Sequence, residues 1–182
     1  TDGVERVGIQ WGTSLVYPVS AISAHVSAVP NHQVGRVTTM KFRGDVALGG
    51  NMGYELNLAM QTPEDLAVIR QQVDTVKRFR SLIQQGRFTR LRSPFTNRVA
   101  AWQFASEDQD EVLLCVFQLR AAPNQEDIYV RVDDIDDQAL YVDDQGVTYA
   151  GGVLKHQGWR ACFGETGPRE DHDSLVLHLR RV

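Results

Sequence analysis

Cysteine is scarce in this chain: Cys115 and Cys162 are the two among 182 residues. A disulfide framework is therefore excluded, and at most one bridge could form. Each cysteine lies in an apolar, strand-like context without a metal-ligand neighbour at short spacing, which argues against a metal site. Buried thiols in a reducing, cytoplasmic compartment are the expectation. Long apolar runs are missing too, and none approaches the roughly 18–20 residues of a membrane span. Positive charge is not in excess, with 19 Lys and Arg against 23 Asp and Glu and a net charge of −4. The chain thus has no clustered basic face for nucleic acid. Its densest basic stretch, Arg70 to Arg92, is spread through a helical pattern and reads as a solvated helix face. No Gly-x-Ser-x-Gly elbow is present, and Gly49-Gly50 is not followed by the Lys-Ser/Thr of a phosphate loop. The start, Thr1-Asp2-Gly3-Val4-Glu5, has neither the basic end nor the apolar stretch of a signal peptide, and no initiator Met. The expectation is a chain that begins inside a longer one.

What is present is ordinary globular usage, 42% hydrophobic and 23% charged. Two regions differ in periodicity. In the first, up to about Gly86, Val4, Val7, Trp11 and Leu15 recur at helical spacing until Pro18. A strand-like run, 22–29, closes at Pro30. A second strand is expected over Val46-Ala47-Leu48-Gly49-Gly50. The clearest element is a long helix: Thr62 is a good N-cap, Pro63 suits the first position, and Glu64 and Asp65 complement the dipole. Leu66, Ile69, Val73, Val76, Phe79 and Ile83 form its apolar stripe, and Gly86 stops it. From about Phe88 the pattern is strands. Segments 98–105 and 112–121 flank an acidic turn, segments 140–142 and 147–149 flank Asp143-Asp144-Gln145-Gly146, and Leu175–Leu179 closes the set. The fold class expected is α/β then all-β. Residues 1–86 read as the tail of a β/α array and residues 87–182 as an antiparallel β-sandwich. Two parallel strands cannot cover themselves on both faces, so the first region needs further chain against it.

Polar residues concentrate between His25 and Arg36, after the first strand, where the loops of a β/α barrel build the active site. His25, Ser27, Asn31 and His32 are candidate substrate contacts, the alternative being that His25 and Asn31 satisfy loop backbone groups. His25 and His32 lie seven apart with no third ligand, so no metal is expected. Gly50 and Asn51, read as following the second strand, are further candidates, either as a sugar-contacting loop or as a tight turn. The acidic pairs Asp133-Asp134 and Asp136-Asp137 sit at turns and look solvated. Trp11 and Trp102 fall on apolar patterns and are expected in the core, with Trp159 nearer the surface.

The stretches Gly12-Thr13-Ser14-Leu15-Val16-Tyr17-Pro18, His25-Val26-Ser27-Ala28-Val29-Pro30-Asn31-His32-Gln33 and Gly35-Arg36-Val37-Thr38 closely resemble the α-galactosidases of glycoside hydrolase family 36. So do Gly53-Tyr54-Glu55-Leu56, Arg92-Ser93-Pro94-Phe95, Ala101-Trp102 and Leu119-Arg120-Ala121-Ala122-Pro123-Asn124. Tyr149-Ala150-Gly151-Gly152 loosely resembles a Tyr-Gly-Gly element of the family. The resemblance implies an N-terminal β-supersandwich, a (β/α)8 barrel and a C-terminal antiparallel β-domain, of which this chain holds the last barrel strands and helices plus the C-terminal domain. It implies release of terminal α-galactose, as from melibiose or raffinose, by double displacement between two Asp residues, without a cofactor. The family nucleophile lies in a Lys-Trp-Asp motif absent from this chain. The acid/base lies in a Trp-Thr-Ser-Asp-x-Thr-Asp motif, whose end Thr1-Asp2 resembles, which makes Asp2 a catalytic-site candidate beside the acid/base. The expected partner is an α-galactoside oligosaccharide, and the full-length enzyme is expected to be a homo-oligomer. The alternatives are a structural or sugar-binding β-module and a transglycosylating relative such as a raffinose synthase.

Overall fold

The structure, a computed structural model, describes residues 1–124, 126–164 and 170–182. It divides into two compact units, Thr1–Gln84 and Gln85–Val182.

The first unit opens with helix α1 (Gly3–Thr13), whose N-cap is Asp2. Its buried side carries Val7 and Trp11 as expected, but also Arg6 and Gln10. Those two reach backbone oxygens, Arg6 the Ser23 carbonyl at 3.1 Å and Gln10 the Val46 carbonyl at 2.8 Å. The helix ends before Leu15, which is exposed. Strand β1 (Ser23–Ser27) follows, then helix α2 (Met40–Ala47), strand β2 (Asn51–Glu55) and the long helix α3 (Pro63–Gln85). Thr62 begins α3, its Oγ1 accepting the Asp65 amide at 3.1 Å.

The segment Val46–Gly50, expected as the second strand, is the end of α2 and the turn after it. A short apolar run does not distinguish a strand from a buried helix. The Thr39 hydroxyl, accepting the Phe42 amide at 3.1 Å, begins a helix here. The strand falls instead on the less apolar Asn51–Glu55.

β1 and β2 are parallel, with Ser23 opposite Asn51 and Ser27 opposite Glu55. The order strand, helix, strand, helix with parallel strands is the repeating unit of a β/α barrel. Ala24 and Val26 pack with Met40, Ala47 and Ile69, and Met52 and Tyr54 lie against them. The other face carries Ser23, His25, Asn51, Gly53 and Glu55, exposed or half-buried, and Ser27, which is buried at the C-terminal end of β1.

The second unit is built on a six-stranded antiparallel sheet. In chain order its members are β3 (Arg87–Arg92), β4 (Val99–Ala105), β5 (Glu111–Gln118), β7 (Leu140–Asp143), β8 (Thr148–Ala150) and β10 (Asp173–Arg181). Their spatial order is β3-β4-β5-β10-β7-β8, so the last strand inserts between β5 and β7. A short antiparallel pair, β6 (Ile128–Val130) and β9 (Trp159–Ala161), supplies a second layer. The core holds Val99, Ala101, Leu114 and Val116 of the large sheet with Val130, Val132, Ile135 and Ala161. Leu177 and Leu179 join it with Leu175 beside them, while His178 points the other way to Glu111 and Asp144, both at 2.8 Å. Trp102 is buried as expected, and Trp159 is half-buried against this core.

Helix α4 (Gly151–His156) was not visible in the strand pattern. A Cβ at Gly151 would collide with the Asp136 carbonyl, which explains glycine there. No disulfide joins Cys115 and Cys162.

Candidate functional site

The site lies in the first unit, at the C-terminal ends of β1 and β2 and the N-terminus of α1. Asp2 is buried at 4% exposure. Its Oδ1 accepts the amides of Val4 at 2.7 Å and Glu5 at 3.0 Å, satisfying two of the donors that open a helix. Its Oδ2 accepts from Arg36 Nη1 at 2.6 Å. Burial pushes the Asp2 carboxyl upward, but the Glu5 amide, the Arg36 guanidinium and the Val4 amide outweigh it and hold the group below the ordinary carboxylate range. Both oxygens are occupied, so Asp2 is a capping anion, poorly suited to exchange protons near neutrality.

His25 is half-buried and meets two charged groups. Arg6 Nη2 lies 2.7 Å from Nδ1 and 2.9 Å from Nε2, and Glu55 Oε2 lies 3.0 Å from Nε2. Burial lowers the His25 pKa and Arg6 lowers it further, with Glu55 opposing. Ser27 is buried, and its carbonyl accepts from Arg43 Nη1 of α2 at 2.5 Å, so a buried cation closes the end of β1. Asn31 follows the cis Val29–Pro30 peptide. Its Oδ1 accepts the amides of Gln33 at 3.0 Å and Val34 at 3.2 Å, and its backbone closes on Arg36 and Gly35. Nδ2 is buried and makes no hydrogen bond among the described residues. His32 stands exposed on the same loop.

The candidates separate into two groups. Ser27, Asn31 and His32 lie at or just after the C-terminal end of β1, Asp2 is tied to that loop through Arg36, and His25 stands mid-strand opposite Gly53. Gly50 and Asn51 stand apart from them. Because β2 begins at Asn51, they lie at its opposite, N-terminal end, about four strand residues or ~13 Å away along the strand. Gly50 has no room for a side chain, since a Cβ would stand 2.7 Å from the Ile22 carbonyl. Asn51 Nδ2 donates to the Ser20 carbonyl at 2.6 Å, and its Oδ1 accepts from Gln84 at 3.1 Å. Both line a groove of about 400 Å³ between β2 and α3.

Arg6, Arg43 and Glu55 belong to the site and were not among the candidates. Arg6 falls on the buried stripe of α1, where a charge is expensive unless it is paired, and that was the available signal. Glu55 became visible only once β2 was placed correctly. No group of three or more potential metal-ligating side chains occurs among the described residues.

The family described as Melibiase matches residues 1–86, and the glycosyl hydrolase family 36 C-terminal domain matches residues 99–179. The α-galactosidase AgaA of Geobacillus stearothermophilus is 48% identical over 183 residues, covering 100% of this chain and 24% of the relative. The bifunctional α-galactosidase/sucrose kinase AgaSK of Mediterraneibacter gnavus is 48% identical over 159 residues, covering 87% of this chain and 17% of the relative. The solved structure of an AgaA variant in complex with raffinose superimposes with a TM-score of 0.95 at 43% identity, over 100% of this chain and 25% of that one. This chain therefore spans about a quarter or less of the length of the relatives it matches. Its βαβα unit and the antiparallel domain after it match in the same order as in these enzymes, and the chain belongs to glycosyl hydrolase family 36.

Proposed function

We propose that this chain forms the closing strands and helices of the catalytic barrel, and the C-terminal β-domain, of a retaining α-galactosidase. Its substrates are terminal α-galactosyl residues of oligosaccharides such as melibiose and raffinose. The observation that carries this reading is the likeness over the whole chain to AgaA structures, one of them a complex with raffinose. The position of Ser27, Asn31 and His32 at and after the C-terminal end of β1, with Asp2 tied to that loop through Arg36, supports it, because that is the catalytic end of a β/α barrel.

Retention requires two carboxyl groups about 5–5.5 Å apart, one a nucleophile and one an acid/base. Asp2 is engaged on both oxygens. On this reading both catalytic carboxylates come from polypeptide outside residues 1–182. Asp2 holds the start of α1 in place through its cap and Arg36. Asn31 shapes the loop that presents His32 towards the sugar. Gly50 and Asn51 maintain the opposite end of β2. The complete enzyme works without a cofactor, as a cytoplasmic homo-oligomer.

The test is hydrolysis of p-nitrophenyl α-galactoside. The complete polypeptide bearing this chain should release p-nitrophenol from the α-galactoside and not from the β-galactoside, and residues 1–182 alone should release it from neither. Turnover by residues 1–182 that is lost in Asp2→Asn would overturn the division of labour proposed here.

A further inference from the structure

One buried charge of the strand-end network has no part in the roles above. Arg6 is 5% exposed. It leaves α1 to reach the Ser23 carbonyl at 3.1 Å and the His25 ring, with Nη2 2.7 Å from Nδ1 and 2.9 Å from Nε2. The guanidinium has donors only and stays charged, so it stands against both ring nitrogens as a cation. Glu55 Oε2 lies 3.0 Å from Nε2. A neutral ring meets this cation without repulsion, whereas an imidazolium would set a second positive charge against it. The charged side chains facing the ring are Arg6 from α1 and Glu55 from β2, and the Thr1 backbone also bonds it.

We propose that Arg6 is a positioning residue of this site: it holds His25 uncharged against β1, and His25 in turn holds the Glu55 carboxylate at the end of β2. The Ser23 carbonyl fixes the guanidinium against β1. The direction in which burial and Arg6 shift His25 agrees with this arrangement. The kinetic part of the test rests on the α-galactosidase reading, and the titration part does not.

The experiment compares Arg6→Gln, Arg6→Lys and Glu55→Gln in the complete polypeptide. Histidine C2-hydrogen exchange followed by mass spectrometry reads the titration midpoint of His25 in each. Arg6→Gln removes a cation from the ring, so the midpoint should rise. Glu55→Gln removes an anion, so it should fall. Arg6→Lys keeps the charge and should stay near wild type. In kinetics on p-nitrophenyl α-galactoside, Arg6→Gln should lower kcat roughly tenfold or more while KM changes less. Its acidic limb of kcat/KM should move towards neutrality, and Arg6→Lys should restore the limb. Midpoints that stay put or move in the same direction overturn the proposal, as does an Arg6→Gln pH profile that superimposes on wild type. If Arg6→Gln does not fold, the exposed Glu55→Gln decides: a lowered midpoint supports the proposal and an unmoved one overturns it. A wild-type protein inert on the galactoside contradicts the α-galactosidase reading, and the exchange data then decide the proposal alone.

Discussion

Asp2 is expected beside the acid/base, and its own contacts make it the cap of α1 and the partner of Arg36. Replacing it with Asn preserves a good cap but discards the charge opposite Arg36; replacing it with Ala removes both. Asp2→Ala should therefore cost about 1–2 kcal/mol of stability, more than Asp2→Asn, as read by thermal unfolding. Because the Asp2 carboxyl is held below its usual range, its contribution is present above the unfolded carboxylate pKa, near 3.9. It is lost as pH falls through the lower folded value, so the Asp2→Asn penalty should shrink at strongly acid pH. Asn31 and His32 are neighbours with separable roles. Asn31→Ala strands the amides of Gln33 and Val34 and should cost about 1–3 kcal/mol. His32→Ala, on an exposed side chain, should change stability by less than about 0.5 kcal/mol. Its effect should appear in kcat/KM on melibiose, as a loss of roughly tenfold if the loop meets the sugar. The clustering of His25, Ser27, Asn31 and His32 was legible because all four follow or belong to one strand. Arg6 and Glu55 were not, because pairing an α1 side chain with the next strand needs the three-dimensional register.

Among the elements, α1, α3 and the β4–β5 hairpin were legible from caps and periodicity. The end of α2 reads as the second strand and β2 as the loop after it, because Val46-Ala47-Leu48 is apolar enough for either a strand or a buried helix and Asn51–Glu55 lacks the β-branched residues that mark strands. The consequence reached the site: with the strand moved forward, Gly50 and Asn51 passed from one end of β2 to the other. Gly50→Ala should then destabilise by about 1–3 kcal/mol while leaving KM unchanged, a combination that melting curves and kinetics separate. β2 is tied to α3 through Tyr54, whose hydroxyl donates to Gln72 Oε1 at 2.9 Å. Burial pushes the Tyr54 phenol up to about 12. A group with a raised folded pKa contributes stability in full below its unfolded value, near 10, and loses it as pH climbs through the folded one. Stability should thus fall between pH 10 and about 12, and Tyr54→Phe should flatten that part of the curve.

At the scale of the whole molecule, the two units differ in how far each can stand alone. The second has two β-layers closed over one core, and a fragment of residues 87–182 should give a cooperative thermal transition. The first leaves one face of its two parallel strands polar and open, and residues 1–86 alone should not. That openness is the physical reason to expect further barrel strands against it, and with them the catalytic carboxylates. The central claim is a retaining α-galactosidase completed by this chain. Its most direct test is proton NMR of the galactose first released from p-nitrophenyl α-galactoside by the complete polypeptide. The account predicts that the α-anomer appears first and mutarotates afterwards. Initial release of the β-anomer, or no cleavage of the α-galactoside at all, would contradict it.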